Sequence, residues 1–221
     1  MIVFDVDGTI LPGTSCERLF MRYLVKNRVF GFLSFVNFVF RAIALIPRGR
    51  YFMIKANKGY LRGHSADSMT EIGRRFFDEV AAARISKTAV ERINQHLKAS
   101  ARVILFSGMP DFLLANFARH LGVAELYGSV MEIRDGKFTG RTLGPFPLGK
   151  GKVDALEMII HNSGMACHAP TEIDWPSITF YADHWTDRFL LSQVGHPVVV
   201  NGSERILALA NQKRWGIEVW K

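Results

Sequence analysis

Four short apolar runs of strand character punctuate the chain, at 2–4, 103–106, 178–181 and 197–200. The later runs alternate with stretches whose apolar residues recur at helical spacing, at 111–121, 151–161, 187–194 and 203–213. Such alternation predicts a parallel sheet covered on both faces by helices. Asp135-Gly136 separates two extended segments within 134–140, which is the signal of a hairpin. After the first run comes a helix-rich stretch, 14–99, far longer than a crossover needs. The expected architecture is therefore α/β. A sheet domain forms from 1–13 and 100–221, and an all-helical module, 14–99, is inserted into it.

The chain has 221 residues, 48% of them apolar, enough for a full core and a smaller second unit. Cys16 and Cys167 are its only cysteines, so no disulfide framework is implied and a reducing compartment fits. The first strand begins at Met1 with no secretory leader before it, so a cytoplasmic location is expected. The net charge of +8 is unevenly spread: nine basic residues and no acid lie between Arg22 and Arg62. Such a block attracts phosphates, nucleic acid or anionic lipid. Phe residues at helical spacing among long aliphatics argue against base stacking, and no nucleic-acid partner is expected. Cys167 and His168, with His161, lack a second pair at ligand spacing and do not suggest a zinc site.

Within the basic block, 29–46 is apolar except for Ser34, Asn37 and Arg41. These three, extended by Asn27 and Arg48, form one narrow polar stripe on a helix. Interior polar residues and Pro47 argue against a bilayer span. Two uses of the apolar face remain open. It packs within the inserted module or against a second copy, or it lies in the interface of an anionic membrane, with 22–62 making peripheral contact at the inner face.

The first strand raises a different question, because Asp5 and Asp7 follow it two residues apart and then Gly8-Thr9 stops the run. Two carboxylates on one side of a buried strand repel each other and lose hydration. A strand end whose acids only cap the next helix is the plainer alternative. In open parallel sheets, however, ligands collect at the carboxyl ends of the strands. There the chain carries Asp5 and Asp7 after the first run, Ser107-Gly108 after the second, and Asp183 with Asp187 after the third. A basic segment, Gly149-Lys150-Gly151-Lys152, opens the helix in between.

This set suits phosphoryl transfer. Asp5 would attack phosphorus and Asp7 would move the proton of the leaving group and then of water. Mg²⁺, a hard cation that takes oxygen ligands, would be held by Asp5, Asp7 through its carbonyl, Asp183 and Asp187. Gly8, Thr9, Ser107, Gly108 and a lysine would hold the phosphate oxygens.

The segments DVDGT (5–9), VILFSG (103–108), GKGK (149–152) and ADHWTD (182–187) resemble the four signature motifs of the haloacid dehalogenase superfamily. The layout is similar to the phosphoserine-phosphatase-like branch, which inserts a helical cap between the first two motifs. The resemblance covers nearly the whole chain. It implies a Rossmann-like core, Mg²⁺ dependence, Asp5 as nucleophile and Asp7 as acid and base. Ser107 would fill the second motif and Asp183 with Asp187 the fourth. Lys152 is preferred as the motif lysine, with Lys150 as the alternative. The expected function is a Mg²⁺-dependent phosphomonoester hydrolase acting on a small or lipid-headgroup phosphate. The alternatives are a phosphotransferase of the same chemistry and a non-enzymatic membrane-binding module.

Two departures matter. His184 follows Asp183, either capping the next helix or reaching the metal's water shell. Phosphoserine phosphatases carry a glutamate nine positions after the nucleophile, where this chain has Thr14, with Glu17 as the nearest substitute; phosphoserine itself is therefore not the expected substrate.

Overall fold

The computed structural model describes residues 1–29, 31–49, 57–163 and 173–220. Arg50 and Lys55 of the basic block, and Cys167 and His168, lie outside the described residues. The strands are β1 (Ile2–Phe4), β2 (Val103–Pro110), β3 (Glu125–Arg134), β4 (Lys137–Leu143), β5 (Thr179–Ala182), β6 (His196–Val200) and β7 (Gly216–Glu218). They form one sheet in the order β4-β3-β2-β1-β5-β6-β7, parallel throughout except for the β3–β4 hairpin. Asp135 (φ +50°) and Gly136 (φ +70°) turn that hairpin in the left-handed region, as the Asp-Gly pair predicts. β7 has no run of its own in the sequence pattern. It exists because Val198, Val199 and Val200 of β6 offer it a ladder.

Between β1 and β2 lie α1 (Cys16–Lys26), α2 (Phe32–Leu45), α3 (Ala66–Phe76) and α4 (Lys87–Lys98). Serine side chains start three of these helices: Ser15 accepts from the Arg18 N–H, Ser65 from Ser68 and Ser86 from Ala89, at 3.3–3.4 Å. After β2 come α5 (Asp111–Leu121), α6 (Gly151–Ser163), the short α7 (Arg188–Leu191) and α8 (Glu204–Lys213). The helix expected over 187–194 is thus only α7, preceded by a 3₁₀ turn at Trp185–Asp187. Asn27 does not extend the polar stripe of α2. It closes α1 by capping, and the chain turns at Arg28 (φ +58°) before α2 begins.

Alternation along the strands divides the core in two. Phe4, Leu105 and Tyr181 face one cluster with α1, α3, α4 and α5, while Val3, Phe106 and Phe180 face α6, α7 and α8. α4, the last helix before β2, lies against the sheet: His96 Nε2 is 3.1 Å from the Tyr181 hydroxyl, and Arg92 pairs with Glu218 at 2.8 Å. The chain passes from β1 to β2 on one side and later returns to β5 on the other, so β1 is the switch point of the sheet. Among the described residues, no helix is long and apolar enough to cross a membrane.

Candidate active site

The carboxyl end of β1 opens on a cavity of about 450 Å³. Asp5, directly after β1, keeps the sheet ladder by donating its N–H to Tyr181 O at 2.9 Å. Its side chain falls on the same face as Val3, which is the face covered by α6. Lys152, the second residue of α6, reaches back over Phe106 and Phe180 to that carboxylate. Its Nζ lies 2.7 Å from Asp5 Oδ1 and 2.8 Å from Asp187 Oδ1, and all three residues are buried. Lys150 instead stands 5.6 Å from the Phe189 ring centroid, so the lysine at the carboxylates is Lys152.

Asp183 leaves the end of β5, and one oxygen each of Asp5, Asp183 and Asp187 lie within 4.8 Å of one another. Unit negative charges that close repel by about 3–4 kcal/mol at an effective dielectric near 20. Burial, opposed by Lys152 and reinforced by Asp187, pushes Asp5 up to about 7. Burial, then Asp5 and Asp187, pushes Asp183 up to about 8. Burial alone would lower the Lys152 ammonium, but Asp187 and Asp5 outweigh it and hold the lysine charged. Three hard oxygen donors with more negative charge than one lysine balances make a donor set that fits a divalent cation such as Mg²⁺.

Gly8 explains why this crowding is sterically feasible. It sits at φ +84°, and a Cβ there would lie 2.0 Å from Asp183 Oδ2. The missing side chain thus makes room for a carboxylate rather than only for an incoming phosphate. Thr9 is buried behind the same group, its hydroxyl 3.5 Å from Asp183 Oδ1, and does not line the cavity. Asp7 does line it, but its carboxylate stands apart from the triad. Asp7 Oδ1 accepts the Cys16 N–H at 2.8 Å, at the positive end of α1.

Ser107 and Gly108, from the neighbouring strand β2, line the same cavity, with Ser107 Oγ accepting the Met109 N–H at 3.3 Å. His184 caps its turn by accepting the Thr186 N–H at 3.2 Å. Trp185 packs against Arg188 and Arg205 and does not line the cavity. Asp111 is the first residue of α5 rather than its cap. Pro110 is the capping position, and Asp111 accepts the N–H of its own neighbour, Phe112.

One group in the site had no local signal in the sequence beyond membership of the basic block. Lys58 is fully buried, donates to Gly108 O at 3.0 Å and pairs with Glu17 Oε2. Glu17 lines the cavity, and its other oxygen accepts the Tyr60 hydroxyl at 2.9 Å. The pair joins positions 41 apart, a separation that no periodicity encodes.

The profile of the family described as haloacid dehalogenase-like hydrolase matches residues 2–192. A Mycobacterium tuberculosis protein named phosphoserine phosphatase is 29% identical over 220 residues, which cover 97% of this chain and 68% of that protein. A Neisseria meningitidis protein named histidinol-phosphatase is 23% identical and covered over 97% of its length, with 98% of this chain matched. Among solved structures, a Bordetella pertussis protein of unknown function superposes with a TM-score of 0.81 at 24% identity, covering 99% of this chain and 97% of that one. A phosphoserine phosphatase holding a phospho-aspartyl intermediate analogue superposes with a TM-score of 0.63 at 18% identity, covering 100% and 92%. These structures share the fold.

Two predictions follow from the charges. Because the folded pKa values of Asp5 and Asp183 lie above the ordinary 3.8, the metal-free folded state binds more protons than the unfolded one from about pH 4 to 8. That contribution to stability is full below about pH 4 and is lost as pH rises through 7–8. Asp183→Asn, melted in EDTA, should therefore outlast the parent at about pH 8.5 by roughly 2–4 °C per kcal/mol of repulsion relieved, and the gap should shrink at about pH 5.5. Millimolar Mg²⁺ should stabilise the parent and leave the variant unmoved. Separately, Lys58→Met should cost roughly 3–5 kcal/mol in chemical denaturation by stranding Glu17, and Lys58→Met with Glu17→Gln should recover much of it.

Proposed function

The chain belongs to the haloacid dehalogenase-like hydrolases, and on that footing we propose that it is a Mg²⁺-dependent phosphomonoester hydrolase whose nucleophile is Asp5. The observation that supports this most is the buried Asp5 carboxylate, fixed by Lys152 beside two further carboxylates at the switch point of the sheet. An oxygen of Asp5 forms a bond to phosphorus as the ester P–O bond breaks. Asp7, placed on the cavity wall with its carboxylate steadied by α1, gives a proton to the departing alkoxide. Water then gives its proton to Asp7 and attacks phosphorus, the bond to Asp5 breaks, and inorganic phosphate leaves. Asp5, Asp183, Asp187 and the Asp7 carbonyl would hold the Mg²⁺, which supplies positive charge to the phosphoryl oxygens. Lys152 offsets the charge that Asp5 shares with the phosphoryl group, and Ser107 with the backbone at Gly8 and Gly108 cradles its oxygens.

On this reading 1–13 and 100–221 are the catalytic core, and 14–99 is the cap that shapes the leaving-group side. The cap side argues against phosphoserine. Thr14 lines the cavity without a charge, and Glu17 is already matched by Lys58 and Tyr60, so among the described residues of 14–99 no carboxylate lining the cavity is left to receive a substrate ammonium. The substrate is a phosphomonoester without that ammonium, either a free small molecule or a lipid headgroup.

Phosphate release by purified protein with Mg²⁺ tests the reading. Glycerol 3-phosphate should be turned over better than phosphoserine, and EDTA should stop both reactions. Asp5→Asn should abolish turnover, and Asp7→Asn should lower it by about 10²–10⁴. Turnover retained by Asp5→Asn would refute the assignment. Phosphoryl transfer to an added alcohol at the expense of free phosphate would identify a phosphotransferase instead.

A further inference from the structure

α2 is built the wrong way round for a helix of a water-soluble surface. Its polar stripe faces the protein. Ser34 is buried with its Oγ 2.6 Å from His64 Nε2, and Phe38 O accepts from Asn57 Nδ2 at 2.8 Å. Gly59 packs so closely that a Cβ there would lie 2.6 Å from Asn37 O and 2.8 Å from Arg41 Cβ. Leu45 completes this inner face and is buried. The outer face is apolar and open to solvent. Phe32 is 83% exposed, Phe35 54%, Phe40 69% and Ile43 57%, and Ile46, just past the helix, is 58% exposed. Phe32, Phe35, Val39, Ile43 and Ile46 follow one another at spacings of three and four, a continuous stripe. A patch of this kind marks a surface that something covers.

The neighbouring charge says what that is. Asn37 and Arg41 of α2 line a second cavity of about 400 Å³, outside the active site and shared with the β3–β4 hairpin. Arg41, Arg62, Arg134, Lys137 and Arg141 surround it, against a single acid among the described residues, Glu132. That acid is already engaged, with the Arg134 guanidinium at 2.7 Å and the Thr139 hydroxyl at 2.6 Å. A second copy of this chain seated on α2 would bring two such cationic clusters together, and both copies carry +8. Anionic headgroups would neutralise the cluster while their acyl chains cover the phenylalanines. At 14 residues, α2 is about 21 Å long and too short to span a bilayer, so it would lie in the interface plane.

We propose that the outer face of α2 docks on an anionic lipid surface, with the cationic cluster beside it engaging the headgroups. Resting on the phosphatase reading, this names the substrate class as a phosphomonoester borne on a lipid, presented to the active site while the protein is held at the interface.

Vesicle sedimentation with Asp5→Asn protein isolates docking from turnover. The protein should pellet with vesicles of phosphatidylglycerol and phosphatidylcholine, and not with phosphatidylcholine alone. Added salt should weaken the binding. Phe35→Ser with Phe40→Ser and Ile43→Ser should weaken it by at least about tenfold while the thermal melt is preserved, since all three side chains are exposed. Arg62→Ala with Arg134→Ala and Arg141→Ala should weaken it by a similar factor. Absence of binding to the anionic vesicles, or binding that the serine variant retains, overturns the proposal. So does a dimer in sedimentation velocity that the same serine substitutions dissolve, because the face would then be a seam between copies. In the active background, the serine variant should keep its rate on glycerol 3-phosphate and lose rate on a phosphatidylglycerophosphate in anionic vesicles. Loss on both would count against docking, whereas inactivity of the parent on every phosphomonoester would count against the phosphatase reading alone.

Discussion

Three buried or half-buried carboxylates held within 4.8 Å of one another, with one lysine among them, are the constraint around which the rest of this structure is arranged. No sheet protein gathers them without compensation, because each added charge raises the cost of ionising the next. Lys152 provides part of the compensation, and its own charge is secured by the acids it joins. The remaining negative charge creates the demand for a divalent cation. Other choices serve the same point. Gly8 has no Cβ because Asp183 occupies that volume, and Gly151, beside Lys152, has none because the Phe146 carbonyl does. Asp7 lies outside this triad, and its carboxylate accepts the Cys16 N–H at the N-terminus of α1.

The core and much of the site are legible along the chain because each motif belongs to one local element. Asp5, Ser107 and Asp183 sit where apolar strands stop, and Lys152 sits where a helix starts, so the switch-point rule brings them to one edge. The choice between Lys150 and Lys152 needed three dimensions. Lys150 precedes α6 and lies by Phe189, whereas Lys152, inside its first turn, faces Phe106 and Phe180. What stayed hidden is non-local. β7 is called into being by β6, and the Lys58–Glu17 pair is a contact across 41 positions.

α2 shows the limit of reading amphipathicity alone. The narrow polar stripe of Ser34, Asn37 and Arg41 was plain in the sequence, yet its direction was not. The usual expectation turns the polar side to water. Here His64 and Gly59 receive it, and the broader apolar side is left outward next to a cationic cavity. The segment that carries these partners, 57–64, also sends Lys58 to the Gly108 carbonyl beside the cavity, so the inner face of α2 and the cavity wall share one short stretch of chain.

The central claim, that Asp5 carries the phosphoryl group, is tested most directly by acid-quenching Asp7→Asn protein during reaction with a phosphomonoester and Mg²⁺ and mapping the adduct by mass spectrometry. With the second half-reaction slowed, the mass of one phosphoryl group should appear on the peptide that contains Asp5. It should be absent without the cation and absent when Asp5 is also replaced by Asn. A phosphoryl group found on another residue, or turnover with no adduct on that peptide at any time point, would contradict the account.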